Sequence, residues 1–239
     1  MLILGIDTSG RQGSVALLQA PDEAQGGPVR TVELAPLSGG QYSELLVPAI
    51  AALLERHGLE KRSVGLLAVA SGPGSFTGLR VAIATVKGLA EAFGIPVVPV
   101  SVLEAILLAS AAESRSRRDR DRAVAAIDAQ RGEVFFAELT AGHRREEIAG
   151  CEGFAAALAV GSPPAIVFTP DEALAARLRD AALEVELVAR PSAEDIARIG
   201  YGKFLDGVRA DVASLDANYV RRSDAELFSA PKLGIPPKS

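Results

Sequence analysis

Apolar positions at the start of the chain come in short continuous runs. Leu2–Ile6 is unbroken aliphatic, Ser14–Leu18 is a second run, and Val29–Leu34 is a third with partial alternation, so the spacing predicts three strands. Gly10 and Gly13 bracket the first turn, and Pro21 to Pro28, with Gly26 and Gly27, makes the second. The first two runs leave no room for a helix between them and read as an antiparallel hairpin. The period then changes. Gln41–Arg56 repeats helically and stops at Gly58, Gly65–Ala70 is a buried strand, and a glycine loop leads into a helix over Thr77–Phe93. Gly94 stands where a left-handed C-terminal residue is wanted, and Pro96 follows as a stop. Val97–Val100 is a short strand. Ser101 caps a helix through Leu108, with Glu104 in the capping-box position. This pattern predicts a mixed sheet with helices packed on it.

The opening theme recurs later. Ala123–Ile127 is an aliphatic strand ending at Asp128, and Glu133–Leu139 returns after a turn at Arg131-Gly132, as Leu2–Ile6, Asp7 and Ser14–Leu18 do earlier. Weak internal duplication is the implication. Cys151–Val160, Asp171–Ala182 and Ala193–Val208 follow as helices, with Ala165–Phe168 and Val185–Val188 as strands between them. The expected division is an N-terminal lobe over 1–112, a mixed-charge linker over 113–122, a smaller C-terminal lobe over 123–220, and an extended tail over 221–239 that carries Pro231, Pro236 and Pro237.

Composition narrows the class. With 239 residues, 49% hydrophobic and 23% charged, global disorder is excluded. A net charge of −5 argues against gripping nucleic acid unaided, because phosphate contacts need clustered cations. Cys151 alone forms no internal disulfide, and His57 and His143 are too far apart for an ordinary zinc site. Met1–Asp7 has no basic region ahead of its aliphatic run, and the longest charge-free stretch, Ser63–Leu79, is broken by a Gly/Pro/Ser loop. The expectation is a cytoplasmic, soluble protein without a signal peptide or membrane span.

Two turns carry candidate chemistry. Asp7, Thr8 and Ser9, at the end of the first strand, could aim a carboxylate, hydroxyls and amides at a phosphate or its metal, or could simply satisfy their own hairpin. Gly72, Gly74 and Ser75 precede a helix that Thr77 could cap, a form suited to an anion, but neither the Walker nor the Rossmann spacing is present. Val102 and Ile106 stand four apart on one helical face, where two histidines could clasp a metal; both are aliphatic. No nucleophile has a partner in motif context. The two early helices are apolar beyond one stripe. Tyr42, Leu46, Ala49, Ile50 and Leu53 line one side of the first, with Leu45, Val47, Ala51 and Leu54 elsewhere. Leu79, Ile83, Val86 and Ala90 line the second, with Val81, Ala82, Thr85 and Leu89 elsewhere, and Gly78, Ala82, Ala84 and Gly88 keep it slim. Burial on a second side follows, either in a thicker core or against another polypeptide.

Leu4-Gly5-Ile6-Asp7-Thr8-Ser9, Tyr42-Ser43-Glu44-Leu45-Leu46-Val47-Pro48, Ser71 to Arg80, Ala126 to Phe135 and Asn218 to Glu226 together resemble the TsaB (YeaZ) family, in order and spacing. The resemblance implies an actin-like, Hsp70/sugar-kinase-type α/β fold of two lobes, each a mixed sheet flanked by helices, the second reduced. It implies a non-catalytic accessory subunit in forming N6-threonylcarbamoyladenosine beside the anticodon of tRNAs that read codons beginning with A. The expected partners are TsaD, the catalytic subunit, and TsaE through the complex, with a homodimer open for the isolated chain and tRNA met only through the complex; a separate synthase, TsaC, supplies threonylcarbamoyl-AMP. In TsaD a His-x-x-x-His metal pair occupies the segment matching Val102 to Ile106. Family members dimerise through the first two helices, which makes Tyr42, Leu46, Ala49, Ile50, Leu53, Leu79, Ile83, Val86 and Ala90 the expected interface. Tyr42 stands where the family often has His. Asp7, Thr8, Ser9, Gly72, Gly74 and Ser75 would be vestigial phosphate turns, with no cofactor required by this chain alone and ATP or ADP left open at the interface of the complex. The competing readings are an ATP-dependent small-molecule kinase using Asp7 and Asp128, and a metallopeptidase, which the missing ligands disfavour.

Overall fold

The computed structural model describes residues 1–21, 27–113, 122–140, 143–161 and 164–217. Most of the expected linker, the tail and the Asn218–Glu226 segment lie outside them. The chain runs through one element series twice. First come β1 (Leu2–Asp7), β2 (Gln12–Gln19), β3 (Arg30–Ser38), α1 (Tyr42–Arg56), β4 (Val64–Gly72), α2 (Phe76–Phe93), β5 (Val97–Ser101) and α3 (Val102–Glu113). The second series is β6 (Arg122–Gln130), β7 (Glu133–Thr140), β8 (His143–Gly150), α4 (Cys151–Ala159), β9 (Ile166–Thr169), α5 (Glu172–Asp180), β10 (Glu184–Leu187) and α6 (Ala193–Leu205).

The sheets have the same strand order, β3-β2-β1-β4-β5 and β8-β7-β6-β9-β10. In each, the first strand pairs antiparallel with the second and parallel with the fourth, so the duplication suspected from Asp7 and Asp128 extends through a whole lobe. The second copy is reduced: α4 and α5 have nine residues each, against 15 and 18 in α1 and α2. β8, His-Arg-Arg-Glu-Glu-Ile-Ala-Gly, was not expected as a strand. It is an edge strand of the sheet among the described residues, and its charged residues pair along the strand, Arg144 with Glu146 and Arg145 with Glu147, so no apolar alternation marks it.

α1 and α2 lie side by side on one face of the first sheet, and α4 and α5 cover the outer face of the second. α3 and part of α6 form the core between the sheets, where Val102 and Ile106 are buried with Ala125, Ile127 and Phe168. The assignment of 123–220 to one lobe needs correction. α6 packs across the first sheet, placing Ala193, Ala197, Tyr201 and Phe204 against Ile3, Ala16, Leu18 and Val98, and Leu215 and Ala217 join the core under α1 and α2. Close approach makes this fit: a Cβ on Gly5 would fall 2.1 Å from the Ala193 carbonyl oxygen, and one on Gly200 2.5 Å from the Ala68 Cβ.

Several ends differ from expectation. α2 is capped by Ser75, whose Oγ accepts from the Gly78 amide at 3.2 Å, and not by Thr77. α3 runs on to Glu113 because Ala109 to Ala112 contains no breaker. Ser101 does cap α3, its Oγ accepting from the Glu104 amide at 3.3 Å, but Glu104 turns to Lys203 and Arg144 instead of closing a capping box. Gly94 is the left-handed C-cap of α2, φ 68°.

Candidate functional site

A cleft of about 1330 Å³ opens where the two lobes face each other, at the carboxyl ends of β1 and β6. The turns singled out by sequence meet there, and they bond mainly to each other. Asp7 is buried at the end of β1, its Oδ1 accepting from the Ser9 amide at 2.9 Å. Thr8 Oγ1 donates to the Gly78 carbonyl at 2.7 Å, and the Ser75 amide donates to the Ser9 carbonyl at 2.7 Å. Gly74 and Gly78 are required for this docking, since a Cβ on either would come within 2.4 Å or 2.0 Å of the Ser9 or Thr8 carbonyl oxygen. Gly72 takes φ 111° before a cis peptide bond to Pro73.

Burial pushes the Asp7 carboxyl up, with the Ser9 hydroxyl and amide and the Arg190 guanidinium pulling the other way. The second lobe supplies Asp128, whose amide donates to Asp171 Oδ2 at 2.8 Å while its own carboxylate accepts from the Gln130 amide and side chain. Arg190, before α6, sends Nη2 toward the Ser9 carbonyl at 3.4 Å and Nη1 toward Asp171 Oδ1 at 3.9 Å. Asp171 and Arg190 were missed by sequence reasoning: Asp171 precedes a helix, where an acidic residue looks like an ordinary cap, and Arg190 lies in a short connection with no motif around it. Among the described residues the cleft wall carries four carboxylates, Asp7, Asp128, Asp171 and Glu172, against two guanidiniums, Arg11 and Arg190. Among the described residues no three His, Cys, Asp or Glu side chains converge as a metal-ligand set.

The second candidate surface is the outward side of α1 and α2, and here the expected interface residues need correction. Leu46, Leu53 and Val86 are fully buried in the chain's own core, with Tyr42, Ile50, Leu79, Ile83 and Ala90 at 6% exposure or less. Ala49 is half-buried against the same core. That stripe is the one that grips the sheet. Tyr42 donates its hydroxyl to the Gly10 carbonyl at 3.0 Å and so fastens the β1–β2 turn from beneath. The other apolar set faces outward: Val47 is 56% exposed, Pro48, Ala84, Gly88 and Ala92 are exposed, and Ala51 and Val81 are half-buried. Phe76, 46% exposed, lies under the Arg80 guanidinium at the start of α2.

Two sheets of one topology, helices flanking each and a cleft between them define an actin-like, two-lobed α/β protein. The family model for TsaD, tRNA N6-adenosine threonylcarbamoyltransferase, matches residues 36–167. The chain belongs to that family and, within it, to the TsaB (YeaZ) group. It is 35% identical over 139 residues to the tRNA threonylcarbamoyladenosine biosynthesis protein TsaB of Haemophilus influenzae, covering 58% of this chain and 54% of the relative. It is 34% identical over 138 residues to the TsaB protein of Escherichia coli, with the same coverage. These alignments span about half the length of the curated relatives. YeaZ from Pseudomonas aeruginosa superposes over 90% of this chain and 98% of its own, with a TM-score of 0.65 and 27% identity.

Proposed function

We propose that this chain is a non-catalytic accessory subunit in forming threonylcarbamoyladenosine on tRNA, and that it works by binding a TsaD-type catalytic subunit through the outward faces of α1 and α2. The observation that carries this reading is the surface itself. Val47, Pro48, Ala84, Gly88 and Ala92 are exposed small or apolar positions on the outward sides of α1 and α2, among exposed charged residues such as Glu44, Arg80 and Glu91. Small residues along α2 let a partner helix approach its backbone, and a helix pair meeting a helix pair buries on the order of 800 Å² per partner. TsaE joins through that complex in this reading, and tRNA is met by the assembled subunits. An isologous homodimer over the same face is its counterpart for the isolated chain.

The cleft supports the accessory role. The Thr8 hydroxyl and the Ser9 and Ser75 amides are spent within the turns, and the described lining is rich in carboxylates, an environment unfavourable to a polyphosphate. The reading therefore assigns no nucleotide to this chain alone and places any ATP or ADP at the interface of the complex. Its test is reconstitution of tRNA modification from purified subunits with wild-type chain, Ala84→Arg chain, or none. Wild type restores modification and Ala84→Arg loses both TsaD co-purification and modification while melting as wild type does. Retained binding in Ala84→Arg overturns the surface; full modification without the chain overturns the role. Tight Mg-ATP binding with substrate-dependent hydrolysis by the isolated chain would favour a kinase instead.

A further inference from the structure

We infer that Arg190 is a latch that holds the two lobes together across the cleft, a built-in cation between a backbone carbonyl of the first lobe and a carboxylate of the second. The segment that carries it, 188–192, is the crossover from β10 in the second sheet to α6 on the first, so it spans the line along which the lobes would part. On the far side of Arg190 the crossover is pinned to the first lobe: the Ala193 amide donates to Ser14 Oγ at 2.9 Å, and Ser192 and Asp195 close a capping box. The guanidinium then reaches both ways, to the Ser9 carbonyl of the first lobe at 3.4 Å and to the Asp171 carboxylate of the second at 3.9 Å. Asp171 passes the connection on to the end of β6 through the Asp128 amide.

The seat for this side chain is shaped at one residue. Gly10 has no left-handed φ that would demand glycine, yet a Cβ there would come 2.8 Å from Arg190 Nε and 3.2 Å from its Cδ, as well as 3.0 Å from the Gln12 carbonyl oxygen. Glycine at position 10 thus lets the guanidinium stem lie flat on the β1–β2 turn, with Nε buried and making no hydrogen bond. The latch depends on two residues 180 positions apart in sequence, and each can be removed without touching the other. The two contacts are long and the side chain is 28% exposed, so its hold is that of a partly exposed ion pair.

The test places spin labels on Gln12→Cys and Glu172→Cys, on opposite walls of the cleft, in the full-length chain; Cys151 is buried and stays unlabelled. Double electron–electron resonance on the parent gives one main distance. Arg190→Ala raises the longer-distance population by about two- to fivefold, the upper part of the range for losing one partly exposed ion pair. Gly10→Ala, which keeps every charge, gives the same shift, and the double variant adds nothing to either. An unchanged distribution in Arg190→Ala and Gly10→Ala, both folded by circular dichroism, overturns the latch, and so do shifts that sum in the double variant. None of these outcomes depends on whether the chain binds a TsaD-type subunit.

Discussion

Asp7 shows how one position can be burdened by its surroundings. Its carboxyl is held above its ordinary value of 3.8 by burial, despite the Ser9 amide and the Arg190 charge. Between the unfolded and folded values the native chain retains a proton that the unfolded chain has lost. Stability from this group therefore falls as pH rises through that window and stays reduced above it. Asp7→Asn keeps an oxygen for the Ser9 amide and removes the ionisation. Its melting temperature exceeds that of wild type near neutral pH, and the gap closes as the acid is protonated; thermal melts across pH check this. Gly78 is constrained in the opposite way, by space. Gly78→Ala drives a methyl into the Thr8 carbonyl oxygen and lowers stability by about 1–3 kcal/mol, measured by urea denaturation.

At the scale of elements, Glu104 ties three of them together. From α3 it accepts from Arg144 of β8 at 2.6 Å and from Lys203 of α6 at 2.9 Å, with its side chain only 13% exposed. Burial works to raise its pKa, but the two cations together hold the carboxyl below its ordinary value of 4.5. A depressed acid contributes stability that is present above the unfolded value and is lost as pH falls through the folded one. Glu104→Ala leaves two half-buried cations without that acceptor and costs about 1–3 kcal/mol at neutral pH, with the deficit shrinking in acid; urea melts at several pH values measure it. Glu104 was legible as a helix-start residue and not as a junction. Its spacing from Ser101 describes only the local turn, whereas Lys203 lies 99 positions away.

For the whole molecule, the two faces of α1 and α2 divide into one that grips the sheet and one that the proposed function assigns to a partner. Leu46 and Ile83, from the stripe first expected to meet a partner, lie in the core at 0% and 6% exposure. Leu46→Asp buries a charge and unfolds the chain or cuts its stability by more than about 4 kcal/mol, read by thermal melt, while Ala84→Arg on the exposed side leaves the melt unchanged and stops partner binding. The same helices thus test both roles, and only the burial of each side tells which variant does which.

Much of the architecture was readable from the chain alone. Aliphatic runs ending in Asp7 and Asp128, period changes at Gln41 and Thr77, and Gly94 as a terminator are local consequences of backbone sterics and side-chain periodicity, and they carried the duplication and most elements of the two sheets. β8 escaped because an edge strand with charges along its length has no alternation to detect. The side of a doubly apolar helix that grips the sheet, the sheet that α6 covers, and the meeting of Arg190 with Gly10 and Asp171 were decided only by the tertiary fold. Each depends on which distant surfaces come into contact and how closely, and hydrophobic periodicity says that a face must be buried without saying against what.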